Sequence, residues 1–138
     1  MKTLSLTFIL ALASAIAQNA TIAPTAPDHS PGRLAKRRDV VTRFIGAQNK
    51  VTEHLTKITA ANSLRENRSN LQVAVIKLVQ VKNELHADAL ENSPEVQILL
   101  KEKGPAMSDS SAKLAAQVGR IRSIPSLSTE LASLISQL

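Results

Sequence analysis

Beyond residue 17 the chain has no cysteine and one aromatic residue, Phe44. Any core it builds must therefore come from aliphatic side chains held by packing alone, without the covalent bridges common in small secreted domains. Aliphatic residues bury themselves either as alternating rows on strands or as stripes at spacings of three and four on helices. Val41, Phe44, Ile45, Val51, Leu55, Ile58 and Ala61 follow the helical spacing, and Glu53 stands one turn before Lys57 on the wet side. This predicts a helix over 39–62, with Asp39 at its positive N-terminal end and the polar stretch Asn62 to Asn70 as its stop and loop.

Leu71, Ala74, Val75, Leu78, Val79, Val81 and Leu85 occupy one broad arc of a second helix over 71–90. Val73 and Ile76 fall outside that arc, which predicts neighbours on several sides. Leu71, Val73, Val75, Val79 and Val81 also alternate with period two, as in a strand, but no second strand-like segment exists to pair with them. Ser93-Pro94-Glu95 has the form of a helix start, and Val96, Leu99 and Leu100 supply its apolar face. Gly104-Pro105 then reads as a break between two helices, the second carrying Met107, Leu114, Val118 and Ile121. A stop at Ser123-Ile124-Pro125 precedes Leu127, Leu131, Leu134, Ile135 and Leu138, which share one face. The expected fold is all-α, an antiparallel bundle of about five helices joined by short loops.

The N-terminus reads differently. Met1-Lys2-Thr3 and the apolar run from Leu4 to Ala17 form a signal peptide (1–17) that ends on Ala15-Ile16-Ala17. It is too short, and too soon followed by Gln18 and Asn19, to be a transmembrane span of about 20 apolar residues. Residues 18–38 read as a flexible leader or pro-segment, punctuated by Pro24, Pro27 and Pro31 and closing on the basic site Lys36, Arg37 and Arg38, where a dibasic-specific protease would cut. The bundle domain then covers 39–138.

The net charge of +6 is concentrated in this N-terminal part. From Asp39 onward 12 Lys and Arg face 10 Asp and Glu, leaving +2. No basic stripe with interleaved aromatics remains, so nucleic acid is not an expected partner. His54 and His86 have no second histidine or carboxylate at metal-binding spacing and read as surface or rim residues. Glu84, Asp88 and Glu91 share a helix flank but have no accompanying base or nucleophile, which marks a solvated face. No catalytic residue, cofactor or metal site is expected. Asn19-Ala20-Thr21 and Asn67-Arg68-Ser69 are glycosylation sequons, the second placed in the expected surface loop.

A signal peptide, a short leader, basic residues directly before Asp39-Val40-Val41 and aliphatic helices rich in Ala, Ser, Thr and Leu together resemble the hydrophobic surface-binding protein A and cell wall galactomannoprotein family of filamentous fungi. The resemblance covers Arg38 to Leu138. It implies a secreted or wall-associated helical bundle that binds apolar surfaces or captures a fatty acid, and it brings no catalytic residues. The chain departs from that family in being shorter at its C-terminus and more charged.

Two functions follow as expectations. In the first, a secreted, non-enzymatic fungal cell-surface protein binds a fatty acid or hydrophobic surface, with Phe44, Val51, Leu55, Val75, Leu78, Leu99, Leu114 and Leu131 lining its core or cavity. In the alternative, a secreted effector or interaction protein presents a helix face to a cell-wall or host protein through exposed residues such as Arg65, Arg68, Arg120 and Arg122.

Overall fold

The computed structural model describes residues 31–88 and 94–138. The expected signal peptide, the leader up to residue 30 with its Asn19 sequon, and the residues Glu91 and Ser93 lie outside them. The described residues form helices α1 (Pro31–Lys57), α2 (Ala61–Asp88), α3 (Pro94–Arg122) and α4 (Pro125–Ile135), and no strand occurs among them. None of these helices is long and apolar enough to cross a membrane.

Among the described residues the fold is all-helical as expected, but with four helices where five were predicted. The difference lies at Gly104-Pro105, where α3 runs on with Pro105 in its interior. A proline there removes one backbone hydrogen bond and crowds the preceding turn. The helix tolerates it because Pro105 faces solvent, while Leu99, Met107, Ser110 and Leu114 on either side are all buried. Packing along the whole face outweighs one local defect.

The chain order of the packing also differs from a simple antiparallel array. α1 packs on both α2 and α3, and α4 packs on α3 and α2. Among the described residues the backbones of α2 and α3 do not approach each other, nor do those of α1 and α4. The cyclic order is therefore α2, α1, α3, α4. α1 and α2 are antiparallel across the turn at 58–60. α1 and α3 run parallel, because Arg38 meets Glu102, Gln48 meets Ser110 and Ser111, and Leu55 and Ile58 meet Arg120, both numbers rising together.

This arrangement explains the pattern on α1. Arg37, Val41, Phe44, Gln48, Val51, Leu55 and Ile58 recur at alternating steps of four and three, and a second buried row, Val40, Ala47 and His54, repeats every seven. One helix wedged between two neighbours needs two rows. α2, α3 and α4 each contribute one main stripe, and all join a single hydrophobic cluster.

Three boundaries depart from the sequence reading. α1 begins at Pro31, a favoured first helical position, so residues 31–38 are helix and not flexible leader. Leu34, Ala35, Lys36, Arg37 and Arg38 are all strong helix formers, and Leu34 packs against the core. Asp39 accordingly sits in the third turn and pairs with Arg43 at 2.7 Å in place of capping an N-terminus. The stretch Asn62–Asn70 is not a loop but the opening turns of α2. Ser63 Oγ accepts the N–H groups of Thr59 and Ala60 at 2.9 and 3.0 Å, half of a capping box built on a serine. Leu64, fully buried, anchors the first turn.

Candidate functional site

The eight side chains expected to line a core or cavity, Phe44, Val51, Leu55, Val75, Leu78, Leu99, Leu114 and Leu131, are all buried and all belong to the one cluster that joins the four helices. The interior they share with Ile58, Leu64, Leu71 and Ile121 is aliphatic almost throughout. Its volume is made of methyl and methylene groups, whose attraction for another alkyl group is non-directional and scales with area.

One polar layer interrupts it. Gln48, 3% exposed, stands in the inward row of α1 between Phe44 and Val51. Its Nε2 donates to Ser111 Oγ at 2.8 Å, and its Oε1 accepts from Ser110 Oγ at 2.5 Å. Ser110, 1% exposed, also has its Oγ 3.0 Å from Met107 O, so its single hydroxyl proton serves either acceptor in turn. A buried amide with partners of this kind fixes which residues of two helices lie level, because any slip strands it without hydrogen bonds. It sets the register of α3 on α1.

Arg120 does similar work at the lower end. It is half-buried, and its guanidinium donates to Leu55 O at 2.6 Å and Ile58 O at 3.0 Å, with Nε bound to Gln117 Oε1 at 2.8 Å. These two carbonyls stand at and just beyond the C-terminal end of α1, where the helix dipole is negative, and Leu55 O also accepts the N–H of Ile58 at 3.1 Å. Arg120 is therefore not an exposed recognition residue as the alternative reading expected. Arg65 and Arg122 are exposed, and Arg68 lies 3.8 Å from Glu130 of α4. Nothing in the sequence near Arg120 pointed to partners more than sixty residues away. The signal for Gln48 was present, a polar residue standing where the apolar spacing calls for an apolar one.

His54 is buried, not at the surface as its isolation in the sequence suggested, and its Nδ1 meets no hydrogen-bond partner. Burial lowers its pKa below the ordinary 6.5, helped by Lys50 and Lys57 and opposed by Glu53. The folded state thus favours the neutral ring, while the unfolded chain protonates near 6.5. Stability is complete above that pH and is lost as the pH falls through it toward the lowered folded-state value. Glu53, hydrogen-bonded by Lys50 and Lys57 and held down to about 2, and Glu84, lowered by Arg43, act only below about 4.5. A urea midpoint that starts to fall just below pH 6.5, and a His54→Gln variant that stays level down to 5, are the expected results. A wild-type midpoint flat across that range would refute them.

The remaining sequence-derived sites divide. Asn67 lies on α2, half-buried, and its Nδ2 donates to Ser63 O at 2.9 Å, so the sequon is helical rather than looped. Lys36, Arg37 and Arg38 lie in the second turn of α1, with Arg37 buried and Arg38 bonded to Glu102 at 3.1 Å, whereas proteolysis needs an extended segment. Val73 and Ile76, expected against neighbours, are 65% and 46% exposed and, with Ile98, form the large apolar exposure. Glu84 carries an ion pair to Arg43 at 2.7 Å. Among the described residues no group of three or more His, Cys, Asp or Glu is placed to hold a metal.

Compared with known protein families, with characterised proteins and with solved structures, the chain matches none.

Proposed function

We propose that this is a secreted, non-enzymatic protein that binds apolar matter, a fatty acyl chain or a hydrophobic surface, through the aliphatic interior of its bundle. The observation that carries the reading is the make-up of that interior. Four helices pool Val, Leu and Ile into one cluster, which among the described residues is interrupted by the Gln48–Ser110 layer and by buried His54 and Arg37, and no covalent bridge holds the helices closed. Part of the cover is α4, 11 residues laid over α2 and α3, which span 28 and 29. Such an interior exchanges contacts among its own alkyl groups for contacts with a foreign alkyl group at small net change. The signal-peptide reading of residues 1–17 and the family resemblance agree with a wall-associated or extracellular site of action.

Native mass spectrometry of protein taken from culture medium, together with retention on octyl-coated beads, tests the reading. A mass surplus equal to a fatty acid, or retention that detergent reverses, is the expected result. Bare protein that passes through the beads would end it.

A second reading is favoured by the outer face of α2. Ser69, Val73, Ile76, Gln80, Asn83 and Ala87 are all exposed, all uncharged and spaced by fours and threes. That is the geometry of a helix-pairing seam. Under this reading the bundle presents α2 to a wall or host protein.

A further inference from the structure

The basic run Lys36-Arg37-Arg38 has the make-up of a dibasic cleavage site, and the apolar-binding reading leaves it without a task. A protease that reads two consecutive basic side chains takes its substrate as an extended strand, in which neighbouring side chains point to opposite sides. In α1 the same two side chains stand about 100° apart on a helix, and each is engaged. Arg37 is 7% exposed, in the inward row that continues as Val41, Phe44 and Gln48, and Arg38 holds Glu102 of α3 at 3.1 Å. The Arg38–Asp39 bond is therefore closed to such a protease while α1 stays wound from Pro31.

What holds residues 31–38 in place is separable from what holds the bundle. The buried apolar cluster begins on α1 at Val40 and Val41, 1% and 4% exposed, and the upstream turns add to it a half-buried leucine, Leu34. Farther down, α3 stays tied to α1 by Gln48 with Ser110 and Ser111, and by Arg120 on the carbonyls of Leu55 and Ile58. Two turns at a helix end, anchored by a half-buried leucine, the Arg37 side chain and an exposed ion pair, belong to the part of a structure that opens locally while the core stays closed. The residue at which unwinding would stop is suited to start a helix. Asp39, paired with Arg43 at 2.7 Å in the intact helix, is of a type favoured as an N-cap, and its carboxylate is stabilised at a helix N-terminus.

We infer that the Arg38–Asp39 bond is a processing site gated by the fold: a dibasic-specific protease cuts it only when residues 31–38 unwind locally, and α1 of the product starts at Asp39 on an otherwise intact bundle. Water hydrolyses the peptide bond, leaving a carboxylate on Arg38 and an amino group on Asp39. A chain cut before folding and a chain cut after it reach the same bundle at different rates, the second limited by how often two helical turns open. Gating of this kind is independent of what the bundle binds.

The full chain is incubated with a purified dibasic-specific endoprotease, beside a peptide of residues 33–44, too short to hold a helix in water. Intact mass gives the bond cut and the rate. Where opening and closing outpace cleavage, the rate follows the open population, so the folded chain should be cut after Arg38 about thirtyfold or more slowly than the peptide. Glu102→Gln should raise that rate about threefold and Leu34→Ala about tenfold, with circular dichroism confirming that both variants are folded. With the peptide rate as reference, about 1 M urea should change it less than about fivefold, whereas a cut that waits for global unfolding speeds up by roughly tenfold or more. The product should keep its helical signal and unfold cooperatively in urea. Cleavage of the folded chain as fast as the peptide, a first cut at another bond, no cut after Arg38 while the peptide is cut, a response to urea above that limit, no change in either variant, or an unfolded product each overturns the gate.

Discussion

Leu55→Ala is expected to lower the unfolding free energy by about 3–4 kcal/mol, within the range seen when a fully enclosed leucine is cut back to alanine and the surroundings only partly collapse. Leu55 has no exposed surface and lies in the inward row of α1, where the core stripes of the other helices meet. The loss matters because a domain of this size commonly has about 5–15 kcal/mol in total. With a urea slope near 1.5–2 kcal/mol per molar, the midpoint should fall by roughly 2 M. Val73→Ala, on a side chain 65% exposed, should stay within about 0.5 kcal/mol. A change below 1 kcal/mol at Leu55 would mean that the interior closes over the gap. The core would then be fluid rather than packed, and the register argument built on Gln48 would lose its basis.

The stripes that make this core were legible because burial imposes a period. Val41, Phe44, Val51, Leu55 and Ile58 on α1, and Leu71, Ala74, Val75, Leu78 and Val81 on α2, could be read straight from spacing, as could the stop before Pro125. What misled was local composition set against tertiary packing. Residues 31–38 carried prolines upstream and a protease-like basic cluster, and that motif masked a run of strong helix formers. Asn62 to Asn70 looked like a loop since eight of nine side chains are polar or small, yet one buried leucine and one serine cap suffice to start α2 there. Polarity marks where a segment faces water; it does not forbid a helix.

The candidate site divides in the same way. Its eight apolar residues were legible because each sits in a periodic stripe. The features that give the site direction were not, because they depend on pairs that no local pattern contains. Gln48 with Ser110 is separated by 62 residues and Arg120 with Leu55 by 65. His54 looked isolated in the sequence since its burial comes from the second inward row, which exists only because α1 has two neighbours. Sequence periodicity identifies what is apolar, while the partners of the few buried polar groups are fixed only by the fold.

Gly104 and Pro105 give a test in which the sign of one substitution depends on the other. Proline in a regular helix interior costs about 3 kcal/mol relative to alanine, through the lost N–H and the clash of its ring with the preceding turn. The same ring crowds the Cβ of the residue before it whenever that residue is helical. Residue 104 is helical, and as glycine it has no Cβ to crowd. Pro105→Ala should therefore stabilise the protein by about 2 kcal/mol, less than the full helix-interior cost because glycine already relieves part of the strain. Gly104→Ala alone should destabilise, even though a Cβ there meets nothing from the other helices and alanine is normally better in a helix by about 1 kcal/mol. Made on top of Pro105→Ala, the same change should stabilise by about that amount. Urea unfolding of the four proteins gives the coupling directly. If Gly104→Ala stabilises in both backgrounds, the Pro105 ring is not pressing on residue 104, and α3 is broken there in solution, as the sequence alone suggested.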